Sequence, residues 1–167
     1  VATSGFHPLY AILIAPFHRS FSEEPAIVGS LLVLIVAYSA GTWLVWRYVT
    51  LYFGRFAGLV ACAAWSVSGH LYSITMTGVE TILAVVIALA AMNVFPDPPW
   101  RTRSAKPFLL FAALFALSFL ARMDAPLVLA GFAVTLGGSL LVRKRWLLAA
   151  GVAAIPLLVL FSWLAYI

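Results

Sequence analysis

Charged residues are scarce in this chain of 167 residues. Asp, Glu, Lys and Arg together make up 9% of it, whereas soluble domains carry about 25% charged residues. Hydrophobic residues make up 65%, and the mean hydropathy is +1.10. This composition excludes an ordinary soluble domain and predicts that lipid is the main partner of the chain.

Cysteine is also nearly absent, since Cys62 is the only one. A single cysteine excludes a disulfide framework within the chain, and its apolar surroundings indicate a small packing residue. The sequence shows no metal-ligand spacing, no glycine-rich phosphate loop and no nucleophile–base motif. We therefore predict no metal site and identify no bound cofactor from the residues alone, and a requirement for a divalent cation stays open.

What the chain does contain is long apolar runs. A helix needs about 20 apolar residues to cross the hydrocarbon core, with about 17 as a lower limit. Candidate spans cover residues 26–46, 56–74, 79–95, 107–121, 125–142 and 146–167. The runs lack the two-residue alternation of membrane β-barrels. They predict an all-α integral membrane protein, a multispanning helical bundle that forms one transmembrane domain over 1–167.

The N-terminal segment 5–18 differs from these runs because its apolar core is too short to span. We predict a short helix there that lies at the membrane interface or re-enters it. The chain begins at Val1 without an initiator Met and ends at Ile167 inside an apolar run. We therefore expect it to be a fragment of a larger membrane protein.

The few charges alternate in sign from one gap between apolar runs to the next. The gaps around 47–55, 96–107 and 143–145 hold eight of the ten basic residues, and four of the five acids lie in the other gaps. Short basic loops stay on the cytoplasmic side, so the acidic gaps are predicted to be extracytoplasmic. The net charge of +5 then reflects topology and attraction to anionic lipid rather than nucleic-acid binding.

Glu80 is the most informative acid because it precedes a long apolar run on the predicted outer face. A carboxylate at membrane depth is costly and usually functional, so Glu80 is the catalytic candidate, as a base or a cation ligand. The alternative is structural. Thr77 and Glu80 have the spacing of a capping box, in which two side chains satisfy backbone donors at a helix start.

Arg122 and Asp124 flank Met123 in the next outer gap. The Arg122 guanidinium suits bidentate binding of a phosphate, with Asp124 as its support. Alternatively, the two side chains form a local ion pair at the interface, or Asp124 caps the following helix.

Two histidines complete the set of candidate substrate-binding residues. His7 can donate to an anionic group or transfer a proton, and its alternative role is a polar anchor before a helix that starts at Pro8. His70 lies near the outer end of the second run, where an interhelical hydrogen bond is the alternative to ligand binding.

The order of these short segments resembles a known family. GFHPLY at 5–10, GVET at 78–81 and LARMD at 120–124 are similar to the "NG-x-x-PLW", "G-x-E-T" and "RP-[DE]-G" patterns of bacterial GT-C glycosyltransferases. The resemblance covers nearly the whole chain, but each motif is short. Met123 stands where the family has proline, and Ala125 stands where it has glycine.

The resemblance implies a multi-pass enzyme of the bacterial cytoplasmic (inner) membrane with an extracytoplasmic site. Such enzymes transfer a sugar from a polyprenyl-phosphate donor to a glycan, lipid or protein acceptor. Glu80 matches the carboxylate of the second outer loop, and Arg122 with Asp124 matches the arginine–acid pair. The family's catalytic aspartate is expected before Val1.

Two other classes stay open from the residues. One is a transporter or flippase for a lipid-linked or small anionic substrate, which needs polar residues near the middle of its spans. The other is a non-catalytic assembly subunit of a membrane complex.

Overall fold

The computed structural model describes residues 8–69, 81–95, 104–121 and 126–166. Within these ranges the chain is helical and contains no β-strand. The helices are α1 (Pro8–Ser20), α2 (Glu23–Phe53), α3 (Arg55–Ser66), α4 (Thr81–Met92), α5 (Lys106–Ala121), α6 (Pro126–Val142) and α7 (Trp146–Tyr166). The all-α prediction is confirmed for this part of the chain.

The helices belong to two compact units. The first unit contains α1, α2, α3, the start of α4 and the last two residues of α5, and the second contains the rest of α4 and α5 together with α6 and α7. Each unit has its own apolar core. In the first, Leu34 and Ala37 of α2 are buried together with Ile82 and Leu83 of α4.

Helix α2 is the longest element, with 31 residues. Among the described helices it is the one that is long and apolar enough to cross a membrane. It continues through 47–53, although the charge pattern predicts a connection there, because no Gly or Pro interrupts that segment before Gly54. Gly54 then adopts φ +89°, a backbone conformation that residues with a Cβ rarely adopt.

This glycine makes a tight turn between α2 and α3. The Gly54 N–H donates to Thr50 O at 3.1 Å and so closes the last turn of α2. The Gly54 carbonyl accepts from Gly58 N at 3.1 Å and so opens α3. One residue therefore serves both helix ends and forms a helical hairpin.

Glycines also set how closely the helices of the first unit approach α2. A Cβ at Gly29 would overlap the ring of Phe17 on α1, whose Cγ would lie only 2.8 Å away. A Cβ at Gly41 would lie 2.8 Å from Cζ2 of Trp65 on α3. Such contacts between helix backbones and neighbouring rings require a residue without a side chain.

The core of the second unit is built from phenylalanines. Phe95 lies against three other rings, with centroid distances of 5.3 Å to Phe108, 6.1 Å to Phe111 and 6.2 Å to Phe132. Phe95, Phe108 and Phe111 are at most 1% exposed. Tilted and edge-to-face pairs of this kind add about 0.5–1.5 kcal/mol beyond burial of area.

Helix α4 ends at Met92, before the predicted limit of its run at residue 95. The Asn93 side chain Nδ2 donates to Leu89 O at 2.8 Å, and the Asn93 backbone N–H is shared between Leu89 O and Ala90 O. A side chain that bonds the backbone in this way competes with helical hydrogen bonding. The local competition and the approaching Pro96 explain why the helix stops here.

Apart from α2, the apolar helices are shorter over the residues whose side chains are described. They are Thr81–Met92, Lys106–Ala121, Leu129–Val142 and Trp146–Ser162. Within the residues whose side chains are described, α2 is thus the one helix that is long and apolar enough to cross a membrane. A multispanning arrangement belongs to the proposals below.

Candidate functional site

The five site residues predicted from the sequence all lie outside the described residues. They are His7, His70, Glu80, Arg122 and Asp124. Their predicted roles therefore stay predictions. The structure describes only the helices that adjoin these residues.

Three of the candidates adjoin helices that reach into one compact unit. The described residues of α1 start next to His7, those of α4 start next to Glu80, and those of α5 stop next to Arg122. All of α1, the first residues of α4 and the last two residues of α5 lie in the first unit. Ile82 and Ala121, which are near these ends, are 1% and 0% exposed. The described residues that adjoin three of the candidates thus lie in the same unit.

A groove lies where α1 meets the start of α2. Its volume is about 530 Å³, and it is lined by Phe17 and Phe21 on one side and by Glu24, Val28 and Leu32 on the other. Glu24 is an exposed residue in the first turn of α2, where the partial positive charge of a helix N-terminus stabilises a carboxylate. The groove combines apolar walls with one acid and so suits an amphiphilic ligand.

His18 and Ser30 connect α1 to α2 through a polar contact that is absent from the sequence prediction. Ser30 Oγ lies 3.4 Å from His18 Nε2 and donates to Ala26 O at 2.9 Å. Ser30 Oγ therefore lies within hydrogen-bond distance of both His18 and the backbone of α2. The twelve-residue separation of His18 and Ser30 gives no periodic signal in the sequence.

A second polar group lies at the end of α3. The Tyr38 hydroxyl of α2 donates a bifurcated hydrogen bond to the carbonyls of Trp65, at 2.8 Å, and Ser66, at 3.2 Å. The last carbonyls of a helix have no partner within it, so Tyr38 caps α3 from the neighbouring helix. Tyr38 lies near the middle of the apolar run 26–46, which places the end of α3 at the same level.

Two buried polar atoms of the α2–α3 hairpin form no hydrogen bond with any residue that the structure describes. They are Thr50 Oγ1 and Trp65 Nε1. An unsatisfied buried donor or acceptor costs about 1–3 kcal/mol. Trp65 is one residue from the end of α3, so one of the two atoms lies close to that helix end.

Among the described residues, no three His, Cys, Asp or Glu side chains come together as a metal site requires. Comparison of the chain with protein-family models, curated proteins and solved structures gives no match. The functional assignment therefore depends on the sequence pattern and on the geometry of the helix ends.

Proposed function

We propose that this chain is part of a multispanning membrane glycosyltransferase that uses a polyprenyl-phosphate-linked sugar as donor. The transfer takes place on the extracytoplasmic side of the bacterial cytoplasmic membrane, at the acidic helix ends. The acceptor is a glycan, a lipid or a protein.

The observation that carries this proposal is that the described residues adjoining His7, Glu80 and Arg122 all belong to the first unit. These three residues belong to the short motifs that resemble the GT-C family. Helix ends held in one body favour a shared site over three unrelated surface positions. The apolar helices beside them suit a donor whose long tail stays in the lipid.

Each residue has a distinct role in the proposed reaction. Inverting transfer needs a base for the acceptor hydroxyl and positive charge for the leaving phosphate. Glu80 supplies the base or holds a cation, and Arg122 binds the donor phosphate. Asp124 orients Arg122, and His7 and His70 contact the substrate.

The test uses the intact protein in membranes with a panel of radiolabelled polyprenyl-phosphate sugars. Loss of a positioned base or of a charge that stabilises the leaving group reduces rates by about 10²–10⁴-fold. We expect Glu80→Gln and Arg122→Ala each to lower transfer by at least about 100-fold at unchanged protein level. Normal transfer by both variants would overturn the proposed site.

Matched controls come from the same predicted face. Glu23→Gln and Arg19→Ala change the same residue types at exposed positions of α2 and α1. Both controls should retain transfer. Equal losses in controls and site variants would indicate a general effect of charge on topology instead of catalysis.

One observation favours a second function, a transporter or flippase of an anionic or lipid-linked substrate. Helix α3 ends at Ser66 beside Tyr38, at the level of the middle of the apolar run of α2. Non-helical backbone at membrane depth is tolerated where it is buried in protein or lines a water-filled cavity. Interrupted helices near the midplane are also typical of transporter binding sites.

Thiol labelling separates the two functions, and Cys62 is the only cysteine to replace within the 167 residues. In a Cys62→Ala background, Ser66→Cys would react with a charged, membrane-impermeant reagent from both sides if α3 borders a translocation path. Reaction from neither side or from one side, together with sugar transfer, would favour the enzyme.

A further inference from the structure

The second unit contains a larger groove that the proposed enzyme does not use. It has a volume of about 750 Å³ and lies between α6 and α7, with Phe115 and Phe119 of α5 on one side. Small-molecule sites typically measure about 300–1,000 Å³. The groove is therefore large enough for part of a lipid.

The walls of the groove are apolar and uncovered by other described residues. Small residues line it on both helices, including Ala133 and Gly137 on α6 and Ala153 on α7. A Cβ added at Gly137 would meet nothing within 4 Å. No helix of the described residues therefore packs closely against this glycine. Val134 and Trp146, which also line the groove, are 75% and 62% exposed.

A basic turn adjoins one end of the groove. Leu141 near the end of α6 and Trp146 at the start of α7 both line it, and residues 143–145 connect the two helices. The turn has a defined shape: Lys144 N donates to Leu141 O and Arg145 N donates to Leu140 O, both at 2.9 Å. These two bonds, with Lys144 at φ 58°, form a Schellman motif.

The three cations of the turn are not equivalent. The Arg145 guanidinium lies 5.4 Å from the centroid of the buried Phe108 ring, so this side chain is engaged within the unit. Arg143 and Lys144 are exposed, and neither forms an ion pair with another described residue. Two positive charges therefore remain beside the apolar groove.

We infer that this groove binds an anionic phospholipid, with an acyl chain between α6 and α7 and the phosphate at Arg143 and Lys144. This inference depends on the membrane embedding included in the proposed function, but not on the transfer reaction. It adds a lipid site that lies wholly within the second unit.

Charge complementarity selects this occupant over others. Basic pockets between membrane helices on the cytoplasmic side bind the head groups of anionic lipids, and 143–145 is a gap that the charge pattern assigns to that side. A second copy of the apolar helices would leave the two cations without a partner. A sugar donor that reacts on the extracytoplasmic side would hold its phosphate there, whereas the charge pattern places Arg143 and Lys144 on the cytoplasmic side.

The test measures lipid binding by quenching of tryptophan fluorescence. The intact protein in neutral detergent is titrated with brominated phosphatidylglycerol or with brominated phosphatidylcholine. We expect phosphatidylglycerol to quench at lower concentration. Trp146→Phe should remove the quenched component, because Trp146 lines the groove.

The charge dependence is tested with Arg143→Gln combined with Lys144→Asn, since asparagine tolerates positive φ. Each cation near a membrane surface contributes about 1 kcal/mol to binding anionic lipid, so the double variant should weaken phosphatidylglycerol binding about 30-fold. Phosphatidylcholine binding should not change. Arg47→Gln with Arg55→Gln removes the same charge from exposed positions in the first unit and should leave both titrations unchanged.

Gly137→Leu provides an independent test that fills the groove and leaves every charge in place. It should weaken the binding of phosphatidylglycerol, with helix content and elution volume as checks on folding. Equal binding of the two lipids by the wild type, or no effect of the Arg143 and Lys144 changes, would overturn the inference. Displacement of the brominated lipid by equimolar polyprenyl phosphate, or a dimer that excludes lipid, would also overturn it.

The outcome is separable from that of the proposed enzyme. Normal sugar transfer by Glu80→Gln would remove the catalytic proposal and leave this titration unaffected. If transfer depends on Glu80 but phosphatidylglycerol does not bind selectively, only the lipid-site inference would be overturned. Release of the protein from membranes by alkaline carbonate would overturn both.

Discussion

The Tyr38 hydroxyl provides the sharpest test of the α2–α3 hairpin. Tyr38→Phe removes the hydrogen bonds to Trp65 O and Ser66 O, at 2.8 and 3.2 Å, and keeps the ring. The ring contact with Trp65, with centroids 6.0 Å apart, should therefore persist. The substitution isolates the contribution of one hydroxyl that caps a helix from outside.

The expected loss is about 1 kcal/mol in the free energy of unfolding. Intramolecular hydrogen bonds contribute about 0.5–1.5 kcal/mol net, and side-chain bonds between membrane helices average about 0.6 kcal/mol with a maximum near 1.7. The bond in question is bifurcated and part-buried, and its loss leaves two terminal carbonyls with fewer donors. A value near the middle of these ranges follows.

The assay is reversible unfolding in mixed micelles of neutral and denaturing detergent, followed by tryptophan fluorescence. Tyr48→Phe is the matched control because the structure describes a ring contact of Tyr48 with Tyr52 and no hydrogen bond of its hydroxyl. The control should lie within about 0.5 kcal/mol of wild type, as surface substitutions usually do.

Hydrogen exchange adds the local information that a global unfolding energy lacks. Tyr38→Phe should accelerate exchange at the last turn of α3, because the carbonyls that it caps are those of Trp65 and Ser66. The turn at Gly54 should keep its protection. Equal stability of Tyr38→Phe and Tyr48→Phe, with unchanged exchange at the end of α3, would refute the capping argument.

Two further predictions concern backbone geometry. Gly58→Ala should lower the free energy of unfolding by about 1–3 kcal/mol, because the new Cβ would overlap Thr50 Oγ1. Gly131→Ala is the control: it has open space around it and should raise the free energy of unfolding by up to about 1 kcal/mol. A stabilised Gly58→Ala in the same unfolding assay would contradict the close approach of α3 to α2. Lys144→Gly should stabilise the α6–α7 turn by about 1 kcal/mol, because Lys144 at φ 58° bears the strain of left-handed backbone. Arg143→Gly, which loses the same charge without relieving that strain, should not stabilise it, and equal effects of the two changes would exclude the backbone explanation.

The helical character of this chain follows from its composition, but several helix ends do not. Long apolar runs without two-residue alternation predict helices, and the described residues confirm them. The end of α3 at Ser66 depends on a hydroxyl 28 residues earlier. No local pattern within the run 56–74 contains that information, since Tyr38 acts through space.

The α6–α7 turn illustrates a different limit. Sequence rules place glycine or asparagine where a helix ends in left-handed backbone, and Lys144 occupies that position here. Two backbone hydrogen bonds from Lys144 and Arg145 offset the strain. The sequence predicts the charge of this turn, which follows from residue identity, but not its conformation.

The candidate site also combines features that residue identity predicts with features that depend on helix packing. Glu80 and Arg122 are selected by residue type and by position in apolar surroundings, and the residues that the structure describes leave their roles as predictions. His18 and Ser30 have ordinary surroundings in the sequence, and only the approach of α1 to α2 brings them within 3.4 Å. Contacts that arise from helix packing cannot be predicted from the local sequence around either residue.

Helix α2 connects these separate observations. Its Gly29 receives Phe17 of α1, and its Gly41 would place a Cβ 2.8 Å from Trp65 Cζ2 and 3.3 Å from Val86 Cγ2. The helices next to His7 and Glu80 are therefore both seated on α2. A loss of sugar transfer can then arise either from the missing carboxylate of Glu80 or from a displaced α4. The distinction is physical: removal of the carboxylate lowers the rate at unchanged stability, whereas displacement also lowers the free energy of unfolding.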